Sequence, residues 1–386
     1  MASIEKRVRN GKVSYRVQYR NPAGAMRGKV FARKVDAERF RTSNEHAKLR
    51  GDWTDPAAAK VTLAAYAASW LAAQTTDPST VEATALRLRL HMLPALGDYP
   101  LGGLRPSVVQ AWTRGLAATL APSYVRVIFA NLSAVLSAAV DDGLISRNPC
   151  RAGSVKLPAP DRRRVVPWPA EQVAAVAAEL PDRYAALAVA GAGLGLRQGE
   201  LFGLAVGDVD FLRGVVHVCR QVKIVGNRQA FALPKGGRQR DVPLAETVAL
   251  RLAAHLQAWP PVEVTLPWSP SGQPETARLV FSTRERTALH RGFVNRHVWK
   301  PALVAAEVTA SRDNGMHALR HHYASVLLED GVSVKALAEY LGHADPGFTL
   351  RVYAHVMPAS EDRARAAVDR ALAGSPDVAR EAGSDA

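Results

Sequence analysis

The stretch His317-Ala-Leu-Arg320-His321-His322, followed by Leu341-Gly342-His343 and then Tyr353, decides how the rest of the chain is read. His317 and Arg320 are three residues apart, so on a helix they share a face and can address one anionic group. Asp345-Pro346 is a helix start, and Tyr353 falls two turns into that helix. Two upstream segments carry compatible chemistry: Gly195-Leu-Arg197-Gln-Gly-Glu200-Leu201 and Pro234-Lys235-Gly-Gly-Arg238-Gln-Arg240-Asp-Val-Pro243-Leu244. Each segment alone is a weak signal, but the four in this order are a strong one.

Cleaving a phosphodiester without a metal requires an in-line nucleophile and cations on the non-bridging oxygens. It also needs an acid for the leaving alkoxide and a base for the nucleophile's proton. Arginine suits the cation role because its planar fork binds two phosphate oxygens and stays charged. Lys235, beside Gly236-Gly237 at an expected hairpin tip, is placed to reach into a DNA groove. Rival readings fit less well. Gly191-Ala-Gly193-Leu-Gly195-Leu196 resembles a dinucleotide fingerprint, but Leu196 stands at the third-glycine position and no strand pattern precedes it. His317 and His321 have zinc-helix spacing, yet Ala318 replaces the glutamate a metalloprotease needs, so no metal and no cofactor is expected. His321 and His322 read as packing or supporting groups. Ser333 to Leu341, the Gly342 turn and the helix after it also fit a helix-turn-helix of a non-catalytic DNA-binding regulator. A lone tyrosine is ordinarily a packing aromatic, and only its company makes Tyr353 a nucleophile candidate.

Working outward, residues 170–373 mix helices with one β region: Val215, Val216 and Val218, a Gly226-Asn227 turn, then Phe231, Leu233, Val242 and Leu244. Residues 149–169, with Pro158, Pro160, Pro167 and Pro169 around Arg162, Arg163 and Arg164, read as an extended basic linker. Residues 60–148 read as a helical bundle. Its strongest helix, Ser123 to Asp142, carries the stripe Val125, Ile128, Leu132, Val135, Leu136 and Ala139, with Gly143 as the stop. In residues 1–55, Val13, Tyr15, Val17 and Tyr19 alternate with polar residues in a half-buried strand, Lys29 to Arg33 fits a second, and Asp36 can cap a helix towards Leu49. Residues 374–386 read as a flexible tail. The expected fold class is multidomain α+β.

Residues 1–50 hold 14 Lys and Arg against four acids, so net +10 of the chain's +15 is concentrated there. A charge focused in this way points to a polyanion partner. Arg16, Arg20, Lys29, Arg162, Arg163 and Arg164 are the candidate DNA contacts. Apolar runs such as Tyr184 to Ala192 are short, and none approaches the roughly 18 residues of a membrane span. Glu5, Lys6, Arg7 and Arg9 stand where a secretory signal needs an apolar run. Two cysteines, Cys150 and Cys219, are too few for a disulfide framework, so the reducing cytoplasm is the expected location.

The four segments resemble the tyrosine recombinase (phage-type integrase) family over nearly the whole chain. By that resemblance Arg197 matches the first phosphate-clamping arginine, in a segment of the form GLRxGEL. Lys235 matches the lysine acting as acid towards the leaving 5′-hydroxyl, His317 and Arg320 match the HxxR pair, His343 matches the His or Trp of LGH, and Tyr353 matches the nucleophile. His322 and Tyr323 replace smaller residues, a departure that touches no assigned role. Residues 60–148 are similar to the helical core-binding domain, and residues 1–55 to the arm-type DNA-binding domain of integrases. The resemblance implies a covalent tyrosyl–phosphate that conserves bond energy, so strand exchange needs neither ATP nor metal. It also implies that His317 assists the nucleophile's deprotonation, and that a homotetramer acts on double-stranded DNA at core and arm attachment sites. A nucleoid location and an accessory DNA-bending or directionality factor are further expectations.

Overall fold

The computed structural model describes residues 3–9, 11–20, 26–49, 60–160, 165–356 and 361–372, with no account of the side chains of 46–49, 356, 361–364 and 366–367. It divides into two compact units, Met1–Arg162 and Arg163–Ala386.

The first unit opens with an antiparallel sheet in the order β1 (Ser3–Arg9), β2 (Lys12–Arg20), β3 (Met26–Phe31), followed by helix α1 (Lys34–Leu49). Strand β1 was not anticipated, because its charges hide the alternation. The second expected strand starts and ends earlier than Lys29 to Arg33. Asp36 does not cap α1; it lies in the first turn and accepts from Arg33 Nε at 3.1 Å. Val17 and Tyr19 are buried with Ala37, and Tyr15, Phe31 and Phe40 pack against them. Val17 therefore marks the helix-covered face of the sheet.

The bundle follows with α2 (Leu63–Ala72), α3 (Pro78–Arg87), α4 (Leu93–Leu96), α5 (Pro106–Ala117) and α6 (Pro122–Asp141). Thr62 caps α2 by accepting from Ala65 N, and Asp77 caps α3 by accepting from Ser79 N. All six residues of the expected α6 stripe are buried, and Gly143 ends the helix at φ 69°. One expectation fails here: α6, at 20 residues, is long and apolar enough by length and composition to cross a membrane. Its stripe is packed in the bundle core with Leu63, Met92 and Leu96.

The expected linker 149–169 is mostly not free. Cys150 is buried and Val155 packs in the bundle cluster, while Arg126 Nη1 donates to Pro158 O at 2.9 Å. At its far end Trp168 stacks on Trp299 with ring centroids 5.9 Å apart and donates to Asn314 Oδ1. Arg162, Arg163 and Arg164, and the expected tail 374–386, lie outside the described residues.

The second unit contains α7 (Ala170–Ala178), α8 (Asp182–Leu194) and α9 (Gln198–Gly203). Three small sheets come next: β4 (Val209–Asp210) with β5 (Val215–Val218) and β8 (Arg240–Pro243), β6 (Gln221–Val225) with β7 (Arg228–Ala232), and β9 (Val262–Pro267) with β10 (Pro274–Leu279). Gly226 and Asn227 both have positive φ, 54° and 62°, as a two-residue hairpin turn requires. Helix α10 (Glu246–Ala258) lies between β8 and β9. After β10 come α11 (Arg291–Phe293), α12 (Lys300–Ala305), α13 (His317–Glu329), α14 (Val334–Leu341), α15 (Pro346–Tyr353) and α16 (Glu361–Leu372). The Gly191 to Leu196 run is no phosphate loop: Gly191 and Gly193 lie inside α8. A Cβ on Gly191 would come within 2.7 Å of Leu319 Cδ1, so the small residue lets α8 and α13 approach closely.

Candidate active site

Glu200 is the hub. Its carboxylate is fully buried and reaches back from the third position of α9 to accept from Arg197 N at 2.9 Å. It also accepts from Arg197 Nη1 at 2.9 Å and from Arg240 Nη1 and Nη2 at 3.1 and 2.7 Å. Burial alone would raise its pKa, but the Arg240 hydrogen bonds and the two guanidinium charges override that and leave it at about 2. Arg240 in turn donates from Nε to Tyr340 O at 2.6 Å, tying β8 to the end of α14.

Arg320 is 1% exposed. Its Nη1 donates to Gly195 O at 2.8 Å, and its Nη2 donates to Leu341 O and to His343 Nε2, the latter at 3.0 Å. Gly195 takes φ 61° to end α8 and turn that carbonyl inward, and a Cβ there would strike the Tyr323 ring. Gly342 ends α14 in the same left-handed conformation at φ 64° and delivers His343. With Nε2 accepting from Arg320, the His343 proton sits on Nδ1 and is shared with Thr349 Oγ1 at 2.7 Å. Burial, then the Arg320, Arg197 and Arg240 charges, push His343 down to about 4, so the ring is neutral at pH 7.

Arg197 keeps a fifth of its side chain open. His317, at the start of α13, is exposed on one side. Burial of the other side and the charges of His321, Arg320, Arg197 and Lys235 all push it below the usual histidine range. Those influences place Lys235 beside the same cluster. Lys235 itself is exposed on the Pro234–Gly237 turn, closed by Gly237 N to Pro234 O at 2.9 Å. It is not at a hairpin tip: β7 pairs with β6 and β8 with β5, so this turn crosses between two sheets.

Tyr353 ends α15 and is 2% exposed. Its hydroxyl shares a 2.7 Å hydrogen bond with His321 Nδ1, not with His317, whose ring meets the His321 ring edge-on at 4.8 Å. Burial pushes the phenol up to about 12, with Arg320 opposing. The six expected residues thus fall in one positively charged cluster, in which Arg320 and Tyr353 are buried while Lys235 and His317 are exposed. Sequence reasoning gave no role to Glu200, Arg240 or Thr349 and left His321 as a packing or supporting group. The signal for Glu200 was present, an acid three residues after Arg197 on one helix face. His322 does pack, donating from Nδ1 to Trp168 O at 2.8 Å. The helix-turn-helix shape exists as α14 and α15, but its turn is spent on His343 and the Leu341 carbonyl.

On the basic sheet, strand register assigns each candidate contact to a face. Directly opposed residues on antiparallel strands point to one face, and Val17 opposes Lys29 while Arg16 opposes Val30. Lys29 is therefore on the helix face, its ammonium 4.9 Å from the Phe40 ring centroid, whereas Arg16 and Arg20 share the other face. Glu5 opposes Arg16 and Arg9 opposes Lys12, so β1 adds Arg7 and Arg9 to that second face.

Residues 170–360 match the phage integrase family. Over 331 residues the chain is 28% identical to the integrase of Mycobacterium phage FRAT1, covering 82% of this chain and 93% of that one. The chain belongs to the phage integrase family of tyrosine recombinases. It is a tyrosine-type site-specific recombinase, and over 94% of its length this integrase is also 26% identical to a XerC-like tyrosine recombinase from Caldanaerobacter subterraneus, covering 98% of that protein. Its fold is that of the Tn1549 transposon integrase in complex with transposon right end DNA, with TM-score 0.66 and 22% identity over 80% of this chain and 99% of that one. A lambda integrase tetramer bound to a Holliday junction matches at TM-score 0.58 and 17% identity, over 90% of this chain and 94% of that one.

Proposed function

We propose that this integrase cleaves and rejoins DNA through a covalent 3′-phosphotyrosine on Tyr353, and so integrates and excises a mobile element. The observation that carries the assignment is the clustering of Arg197, Lys235, His317, Arg320 and His343, with the Tyr353 hydroxyl joined to that cluster through His321. Arg197 clamps the scissile phosphate with the open edge of its fork. Arg320 adds charge from below, where low dielectric strengthens its field, and holds His343 in the tautomer that keeps Nε2 towards the cations. Lys235, exposed on its turn, protonates the leaving 5′-oxygen.

Residues 1–55 act as the arm-type module, residues 60–148 close over the core site, and residues 170–373 cut it. The tetramer on a Holliday junction formed by lambda integrase supports four protomers on two duplexes here. Phage integrases among the relatives support attachment-site DNA as the partner. An accessory bending or directionality factor and action at the nucleoid belong to the same proposal.

Tyr353→Phe tests the nucleophile. It removes one oxygen and keeps the ring's packing, so the covalent adduct on a nicked suicide substrate disappears while DNA affinity stays within a few-fold. Adduct formation by that variant overturns the assignment. Absence of any adduct from the wild-type chain would instead leave the non-catalytic regulator reading.

A further inference from the structure

We propose that His321, and not His317, receives the Tyr353 proton during strand cleavage; this rests on Tyr353 being the nucleophile. His321 Nδ1 lies 2.7 Å from Tyr353 Oη, within the reach a general base needs. One residue along α13, Arg320 turns away to Gly195 O and Leu341 O, so neighbouring positions on one helix serve the phenol and the charged pocket separately. The His321 ring is held by the edge of His317 on one side and by the Tyr353 ring, 5.7 Å away, on the other. His355, on the turn after Tyr353, is committed elsewhere, donating to Val165 O at 2.7 Å.

Tyr353 is too buried for bulk water to take its proton, and burial makes the phenol a weaker acid than usual. It therefore needs a neutral acceptor already in contact. Burial, with the Arg320 charge, holds His321 below its ordinary range, so its Nδ1 lone pair is free at neutral pH. His317 instead opens to solvent among Lys235, Arg197 and Arg320, a place suited to donating to a phosphate oxygen.

As the Oη–P bond forms, the Oη–H bond breaks and its proton passes to His321 Nδ1. Nε2 keeps its hydrogen, so the ring becomes imidazolium. The P–O5′ bond breaks and O5′ takes a proton from Lys235. Religation reverses each transfer.

The test is single-turnover adduct formation by the full chain on a nicked suicide duplex across pH. Wild type is compared with His321→Ala, His321→Asn, His317→Ala and Tyr353→Phe, and the first three variants are also made with 3,5-difluorotyrosine at 353. His321→Ala is expected to slow cleavage by about 10²–10⁴-fold, the usual worth of a general base. Its rate should then climb about tenfold per pH unit with the phenolate fraction, where wild type is flat. The more acidic difluorotyrosine should restore most of the loss. His321→Asn, which keeps an acceptor atom and the packing, should show the same slope, so a misfolded alanine variant does not leave the matter open.

His317→Ala should lose rate without gaining slope or rescue. The reverse pattern, with slope and rescue in His317→Ala, overturns the inference. Faster cleavage by His321→Ala also overturns it, by making the contact a resting latch. A silent Tyr353→Phe beside a His321→Asn of wild-type rate and flat profile fails the His321 inference alone. An adduct in Tyr353→Phe fails the nucleophile reading beneath it.

Discussion

Arg197 donates one edge of its guanidinium to the buried Glu200 while part of the side chain stays open, so the group is fixed on one side and free for a phosphate on the other. A neutral amide can replace neither edge. Arg197→Gln should therefore be nearly as harmful as Arg197→Ala, each losing a donor to transition-state charge worth ~3–4 kcal/mol, or roughly 10²–10³ in rate. Single-turnover cleavage measures this, and wild-type rates in either variant remove the clamp. At this scale residue types were legible, because phosphoryl chemistry limits which side chains serve and the four segments supply them in order. Partners were less legible. His321 follows Arg320 directly, and spacing gives a residue's face but not what stands opposite, so its contact with Tyr353, 32 residues away, needed the fold. The face Lys29 takes was likewise not legible, because strand register, not local alternation, decides it.

Elements tie these residues together through Glu200, which joins the start of α9 to β8 and, through Arg240, to the end of α14. Three arginines, Arg197, Arg240 and Arg320, stand around this one carboxylate, leaving a net positive cradle. Folding lowers the Glu200 pKa from 4.5 to about 2. A depressed carboxylate contributes stability that is fully present above its unfolded value and is lost as pH falls through its folded value. The shift corresponds to about 3 kcal/mol at neutral pH. Denaturant unfolding of Glu200→Gln should show a deficit of about that size at pH 7, shrinking as pH falls from about 4.5 towards 2. His317, His321 and His343 lose stability over an overlapping acid range, because burial depresses all three, so the deficit is read as the difference between the two proteins at each pH. A deficit independent of pH would mean that the carboxylate charge is not what holds the strut. The helices of this region were legible from capping residues, as Ser333 accepting from Ala336 N and Asp345 accepting from Gly347 N bear out. Strand pairing was not, since the turn at Lys235 looks identical in sequence whether β7 pairs with β8 or each pairs elsewhere.

At the scale of the whole molecule the chain separates its basic module from its chemistry. The division at Arg162–Arg163 falls inside the run of prolines and arginines that marked a linker, although most of that stretch packs onto one unit or the other. On the N-terminal sheet, Arg7, Arg9, Lys12, Arg16 and Arg20 share the face opposite the Val17 and Tyr19 core, and residues 1–50 carry a net +10. A one-sided row of cations on a paired sheet, with Glu5 the one acid among the described residues of that face, suits discrete contacts with one DNA segment, whereas a non-specific tether needs only charge. Deleting residues 1–55 should abolish integration of a complete attachment site but preserve cleavage of an isolated core-site oligonucleotide. The salt dependence of binding to arm DNA should fall as well, because each lost phosphate contact releases about one counterion fewer. Reversing only the exposed face, with Arg16→Glu and Arg20→Glu together, should reproduce the loss while the helix-covered face and the fold remain. Footprinting separates the two roles. A protected site away from the crossover, lost in both variants, supports an arm-binding module; uniform weakening at every sequence, with no second footprint in the intact chain, reduces the sheet to a tether.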